Sequence, residues 1–310
     1  MGQLHDLIER IGVDRARQES NLPVPAIEAA ARMMELERET LGVTYSGFAL
    51  TSFPHKRLGD TEVWEKNGHH VKLLLEPGKL PNIQGGYTQF GVPYGAQARL
   101  IMIYLQSEAV RTGSPEIELG RSMADWLGRM GVSIGGKTYE RIRDQANRIS
   151  ACLLTFSWSD GRSIAFRRDS IIRSGLFLPS GQDIRQPGLW NERVELSDTF
   201  FRELRDHAVP LSEEALSQIT NNSLSIDLYV WLAYRLHALD KATPITWKAL
   251  QEQFGGGYAR LRDFRKRFTD AMHLALAVYR NAAVDIHEEG VTLHPSPPPI
   301  TRKLVAVARR

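Results

Sequence analysis

One order of segments occurs twice along this chain: a long apolar helix, a short strand, a second helix, a glycine turn, a basic helix and a hairpin. The first copy runs from Tyr94 to about Arg168 and the second from about Ser223 to His294. A repeat of this kind limits the fold to two small helix-rich units, each with a β-hairpin at its end. In the second copy the stretch ITWKALQEQFGGGYARLRDFRKRF, Ile245 to Phe268, places Arg260, Arg262, Arg265, Lys266 and Arg267 on one short helix behind three glycines. Helix, turn, cationic helix and hairpin is the layout of a winged helix-turn-helix. The expected fold class is therefore α+β, two tandem winged helix-turn-helix domains, predominantly helical with small hairpin wings.

The flanking segments set the expected boundaries. Pro23-Val-Pro25 opens a helix over Ala26 to Glu39, inside an N-terminal helical segment, 1–44. From Tyr45 to Gly91 the pattern turns strand-like, with VKLLLEPG (Val71 to Gly78) its clearest strand and turn. QARLIMIYLQSEAV, Gln97 to Val110, is apolar on nearly every side and should be a buried helix. After a strand at Glu116 to Leu119, Ser122 is placed to cap a helix through Asp125, and Met123, Trp126, Leu127 and Met130 repeat at helical spacing. Gly131 and Gly135-Gly136 mark a turn, Lys137 to Ser150 a helix, and Leu153 to Trp158 with Ser163 to Arg168 a hairpin through Asp160-Gly161. SGLFLPSGQDIRQPG, Ser174 to Gly188, has linker composition. These readings divide the chain into 1–44, a first winged-helix domain 45–175, a second 189–295, and a flexible tail 296–310.

Composition narrows the chemistry. The formal net charge of +3 is too small to argue for a polyanionic partner, so the distribution of charge must carry that argument. On a helical wheel Arg262 and Lys266 lie opposite Leu261, Phe264 and Phe268, with Arg260, Arg265 and Arg267 flanking. Held by its apolar face, such a helix can enter a major groove, where Arg262 and Lys266 are the expected base contacts and the flanking cations meet phosphates. In the first copy Lys137, Arg141 and Arg148 are expected to line the side opposite Tyr139, Ile142, Ala146 and Ile149, with Arg162, Arg167 and Arg168 near the hairpin, a surface open equally to phosphate contact and to dimer contact.

Other chemistries find less support. GVSIGGKT, Gly131 to Thr138, satisfies the P-loop pattern, in which Lys137 would reach phosphates and Thr138 would ligate magnesium. A P-loop follows a buried strand, whereas SMADWLGRM has helical periodicity, so the string is expected to be a turn. The nine histidines include none at HExxH spacing; His69-His70 sits in a polar turn, and His237 and His273 lie on apolar helices. The single Cys152 lies in the apolar run ISACLLTF and is expected to be a buried thiol. Trp126, Trp231 and Trp247 fall at core spacing. No membrane span, metal, cofactor or catalytic group is expected, and the polar N-terminus carries no secretory signal pattern.

The runs GVPYGAQARLIMIYLQSEAVRTG, ELGRSMADWLGRMGVSIGGKTYERIRDQANRISAC, SIDLYVWLAYRL and ITWKALQEQFGGGYARLRDFRKRF resemble, in their order, the RepA-type plasmid replication initiators of proteobacteria. The resemblance implies a cytoplasmic DNA-binding protein, not an enzyme, that recognises repeated origin sequences on its plasmid, recruits the host initiator and helicase, and represses its own promoter as a dimer. It assigns base reading to Arg262, Arg265 and Lys266 in the second domain, with Lys137, Arg141 and Arg148 of the first in support, and dimerisation to the first. A P-loop nucleotide-binding protein and a transcription repressor without a replication role are the alternatives.

Overall fold

In the computed structural model, residues 3–36, 40–68, 71–82, 84–120, 122–130, 136–159, 163–175 and 193–300 are described. They form a mixed α/β chain in two compact units, one built from Met1–Gly42 together with Val209–Arg310, the other from Val43–Ala208. The division differs from the expected linker boundary: residues 193–208 belong with the first copy, and residues 1–42 belong with the second. Most of the expected linker, like the Gly131 and Gly135 positions, His69-His70, Asp160-Gly161, Arg162 and the tail beyond Ile300, lies outside the described residues.

The discontinuous unit begins with helices α1 (Gln3–Ile11), α2 (Val13–Glu19) and α3 (Val24–Glu35). Pro25 fits the first turn of α3, where no intrahelical N–H is required, and Ala26, Ile27, Ala29 and Ala30 are its buried side. Strand β1 (Leu41–Tyr45) carries the chain into the continuous unit.

That unit contains α4 (Ser46–Leu50), β2 (Trp64–Asn67), β3 (Val71–Glu76), the hairpin β4 (Gly78–Pro81) and β5 (Tyr87–Phe90), the long helix α5 (Gly95–Thr112), β6 (Glu116–Glu118), α6 (Met123–Arg129), α7 (Gly136–Ala151), β7 (Leu153–Ser159), β8 (Ile164–Ser170), β9 (Ile172–Ser174), β10 (Arg193–Leu196) and α8 (Asp198–Asp206). As expected, α5 is buried on nearly every side. Its polar groups are used internally: Gln106 accepts from the Tyr45 N–H at 2.7 Å, and Arg99 donates to the Phe53 carbonyl at 2.6 Å. Ser122 caps α6 by accepting from the Asp125 N–H at 3.1 Å.

Strand pairing separates the two copies although their element order is alike. The β7–β8 hairpin extends through β3 to β2 in one four-stranded antiparallel sheet, whereas β6 pairs with β10 and β10 with β9. Alternation decides it. Val71, Leu73 and Leu75 of β3 lie opposite Trp158, Phe156 and Leu154 of β7, so both strands turn the same apolar face inward.

Strand β11 (Ala208–Ser212) returns the chain, followed by α9 (Glu213–Gln218), α10 (Ser223–Arg235) with a short 3-10 turn at Leu236–Ala238, β12 (Thr243–Thr246), α11 (Trp247–Phe254), α12 (Leu261–Val278), β13 (Val284–Ile286) and β14 (Gly290–Leu293). Here β12 pairs with β14 and β14 with β13, all antiparallel. Helix α10 is buried from Leu224 to Ala233, Asp227 included, and the Ser212 N–H donates to the buried Tyr229 hydroxyl at 2.9 Å. Residues 296–300 are packed and not frayed: the Ser296 N–H donates to Leu236, the Ser296 hydroxyl accepts from the Ala283 N–H, and Ile300 is buried.

Helix α12 is the spine of this unit. Its C-terminal half, Ala271, Met272, Ala275 and Val278, is buried against α10 and α3, and α1 reaches it as well. The N-terminal residues thus complete the second copy's core. A fragment 209–300 is expected to melt without a cooperative transition, because removing α3 exposes the small residues of α12. Mixing it with a peptide spanning 3–36 should restore a sigmoidal circular-dichroism melt.

Two imidazoles lie near this contact, lining a groove of about 760 Å³ with Leu4, Leu7, Leu22 and Leu276. Burial holds His5 below the ordinary histidine value, aided by Arg280 and opposed by the Ala277 carbonyl, Asp6 and Glu9. Burial likewise lowers His273, against Asp270. Below the unperturbed value of 6.5 the unfolded chain binds these protons more readily than the folded one. Stability of this unit is therefore expected to fall as pH drops from 7 towards 5. Denaturant melts of His5→Leu should show a flatter dependence.

Candidate nucleic-acid interface

The turn before α12 depends on backbone freedom at Gly257, whose φ of +94° is unfavourable for any residue with a Cβ. Gln251 donates to the Tyr258 carbonyl at 3.2 Å and closes the turn onto α11. Helix α12 begins at Leu261, so Arg260 is its N-cap and not one of its helical residues. Phe264 and Phe268 are fully buried. Successive residues advance about 100° around the axis, so this buried stripe turns Arg262 and Lys266 outward.

The five cations behave differently. Arg262 has 84% of its side chain exposed, and its nearest carboxylate, on Asp263, is 3.9 Å away. Lys266 and Arg267 are also exposed, and neither has an ion-pair partner among the described residues. Arg260 is exposed but pairs with Asp263 at 2.7 Å. Arg265 departs from the expected reading role: it is half-buried, stacks over the Trp247 ring at 5.1 Å, and donates to the His287 carbonyl at 3.4 Å. A guanidinium committed to a ring and a carbonyl is not displayed to a base edge.

The first basic helix, α7, retains less. Lys137 and Arg141 are exposed, as expected. Arg148 is not: its side chain is only 2% exposed, it bonds Asp144 at 2.9 Å and Asp60 at 3.0 Å, and it lies 5.3 Å from the Tyr94 ring centre. The expected outward role of Arg148 is corrected. The wheel gave α7 one packed side, but its C-terminal half also packs against the β4–β5 hairpin, and the 91–94 segment closes over it, with Tyr94 N–H donating to Gln145 at 2.8 Å. Asp144 four residues before Arg148 was the sequence signal for an internal pair. Partial burial pushes Asp60 upward, but the hydrogen bond and charge of Arg148, with Arg57 behind it, outweigh that and hold its carboxyl below the ordinary value.

On the hairpin, Arg167 pairs with Glu203 and Arg168 with Glu76 at 2.9 Å. Both are half-exposed, so a phosphate would have to compete with a carboxylate already in place. The three tryptophans Trp126, Trp231 and Trp247 are buried, and burial pushes the Cys152 thiol up to about 12. Among the described residues no cluster of three or more His, Cys, Asp or Glu side chains could hold a metal. The element before the P-loop-like string is helix α6, not a strand, so the context that a phosphate loop needs is missing; residues 131–135 lie outside the described set. No helix among the described residues is long and apolar enough to cross a membrane.

Of the expected site residues, the described ones leave one displayed cationic surface on α12 and a smaller one on α7. The family model described as "Plasmid encoded RepA protein" matches residues 92–249, more than half of the chain. The chain belongs to the plasmid-encoded RepA protein family. No curated protein matches it in sequence. A crystal structure of selenomethionine derivatives of domains 2 and 3 of RctB is similar in fold, with a TM-score of 0.52 at 16% identity, covering 81% of this chain and 98% of that one. A second structure of RctB domains 2–3 aligns with a TM-score of 0.47 at 14% identity, covering 79% and 93%. The matched RepA region ends at Ala249, so it takes in α7 and the start of α11 but not α12. The cations of α12 therefore rest on their own geometry.

Arg148→Ala is expected to lower the stability of the Val43–Ala208 unit by about 2–3 kcal/mol, because charge-assisted hydrogen bonds are lost and two carboxylates are left adjacent. Chemical denaturation should register that loss, while discrimination between DNA sequences by the folded fraction stays within about twofold of wild type.

Proposed function

We propose that this RepA-family protein binds double-stranded DNA sequence-specifically at repeated origin sequences and thereby initiates plasmid replication. The observation that carries the reading is that Arg262 and Lys266 project on the side of α12 opposite the buried Phe264 and Phe268, with Arg267 exposed beside them and, among the described residues, only Asp263, 3.9 Å from Arg262, within ion-pair range of the three. The order β12, α11, α12, β13, β14, with a three-stranded antiparallel sheet, supports taking this unit as a winged helix-turn-helix with α12 as its recognition helix.

In this reading Arg262 and Lys266, one helical turn apart, read base edges, because an outward guanidinium can bond bidentately to guanine. Arg267 and Arg260 flank them as phosphate contacts. Lys137 and Arg141 of α7 supply additional backbone contact, so that two units on one duplex span roughly 15 to 22 base pairs. Arg167 and Arg168 contribute only where a phosphate displaces their carboxylates. Self-association through the first unit, repression of its own promoter, and contacts with the host initiator and helicase belong to the same proposal and follow from the family resemblance.

Neutralising roughly four to eight phosphates should give a log–log salt slope near −4 to −7. Arg262→Ala and Lys266→Ala should each cost about 1–3 kcal/mol on the preferred site and relax preference at one base-pair position, whereas Arg267→Ala should weaken all sequences alike and reduce the slope by about 1. Fluorescence anisotropy on the duplex flanking the gene, against a scrambled duplex across a salt series, separates these outcomes. Unchanged discrimination in Arg262→Ala would remove α12 from base reading.

A further inference from the structure

The hairpin β13–β14 is fastened to the helix-turn-helix at one carbonyl. The His287 carbonyl accepts the Trp247 indole N–H at 3.1 Å and the Arg265 guanidinium at 3.4 Å. Beside it the Trp247 backbone N–H donates to the Glu289 carbonyl at 3.1 Å, so the first residue of α11 holds the hairpin turn at two points. The turn is itself braced. The His287 N–H donates to the Gly290 carbonyl at 3.0 Å, and its ring nitrogens lie 3.1 Å from Glu289 Oε2 and 3.0 Å from Thr292 Oγ1. A neutral ring satisfies both contacts, with Nδ1–H donating to the carboxylate and Nε2 accepting from the threonine hydroxyl. Gly290 has no alternative, since a Cβ there would lie 1.9 Å from the Ile245 carbonyl oxygen.

The tip held in this way is acidic. Glu288 and Glu289 are both exposed, and Glu289 is kept below the ordinary carboxylate value by its own backbone N–H and by His287. The charge of Arg265 reaches it as well, which places the tip within electrostatic range of the cationic helix. A phosphate backbone approaching along this hairpin meets two carboxylates, whereas one approaching along α12 meets Arg262, Lys266 and Arg267.

We propose that Arg265 is a positioning residue and not a DNA contact: with Trp247 it clamps the His287 carbonyl so that Glu288 and Glu289 stay beside α12, where they reject duplexes that do not dock along the helix. The inference rests on the DNA-binding reading above. The clamp makes the hairpin a device for specificity through repulsion, which lowers non-specific affinity more than specific affinity.

The test uses the full chain, the gene-flanking duplex, a scrambled duplex and hydrogen exchange of the free protein. E288Q/E289Q should bind the scrambled duplex about three- to tenfold more tightly, with a smaller gain on the flanking duplex. Arg265→Ala should speed amide exchange over residues 284–293 by about tenfold or more without DNA, and should lose discrimination. Combined with E288Q/E289Q, Arg265→Ala should lose little further discrimination, because both changes act through the same tip. Arg265→Lys keeps the charge but not the planar stack and should exchange like Arg265→Ala. Exchange over 284–293 unchanged in Arg265→Ala, additive losses in the combined variant, or unaltered scrambled-duplex affinity in E288Q/E289Q would each overturn the proposal. If wild type fails to discriminate the duplexes at all, the DNA-binding reading fails and the rejection role with it, while exchange in the free protein still judges the clamp.

Discussion

A helix can hold cations in a fixed direction only if its other side is locked, and in α12 the lock is aromatic. Phe268 meets Trp247 edge-on at 5.6 Å, Phe254 at 5.8 Å and Phe264 at 5.4 Å, while Phe264 meets Tyr258 at 5.8 Å and Phe254 meets Trp231 at 5.2 Å. These rings come from α10, α11, the glycine turn and α12. Their contacts fix the rotation of α12 about its own axis as well as its position, since each ring pair prefers an offset or edge-on geometry. The outward direction of Arg262 and Lys266 is a consequence of that packing.

The two basic helices look alike as strings of letters and differ as electrostatic objects. On α12, Arg262, Lys266 and Arg267 keep most of their charge directed at solvent, and Arg265 turns inward to a ring and a carbonyl. On α7, Arg148 is consumed by Asp144 and Asp60. On the adjoining hairpin Arg167 and Arg168 are each paired with a carboxylate. Counting basic residues therefore overstates the cationic character of the first unit. The carboxylates that offset it, Asp60, Glu76 and Glu203, lie tens of residues away in the chain.

Local patterns were legible because they depend on neighbours in sequence. The Ser122 cap, the buried α5 and α10, the apolar stripe of Phe264 and Phe268, and the glycine turn all follow from spacing. What the sequence hid was set by distant partners. Arg148 was misplaced because its second carboxylate comes from Asp60, and Arg265 because Trp247 and His287 approach it from α11 and the hairpin. The pairing of β7 with β3 separated the first hairpin from β6, and no local pattern specifies which of several apolar strands will pair. The division into units differs from the expected boundary for the same reason: Gly- and Pro-rich composition marked Ser174 to Gly188, whereas α1 and α3 pack on α12.

Because α3 and α12 share one core, two segments far apart in sequence must find each other after the whole intervening unit has been made. On a ribosome adding roughly 5–20 residues per second, the roughly 225 residues between α3 and α12 take about ten to forty-five seconds to emerge. During that interval Ile27 and the alanines of α3 lack the α12 surface that packs against this helix. The unit that carries α12 is therefore expected to close last. The cationic surface of α12 takes its final form only once synthesis has passed that helix, so a product cut short before Leu261 lacks it.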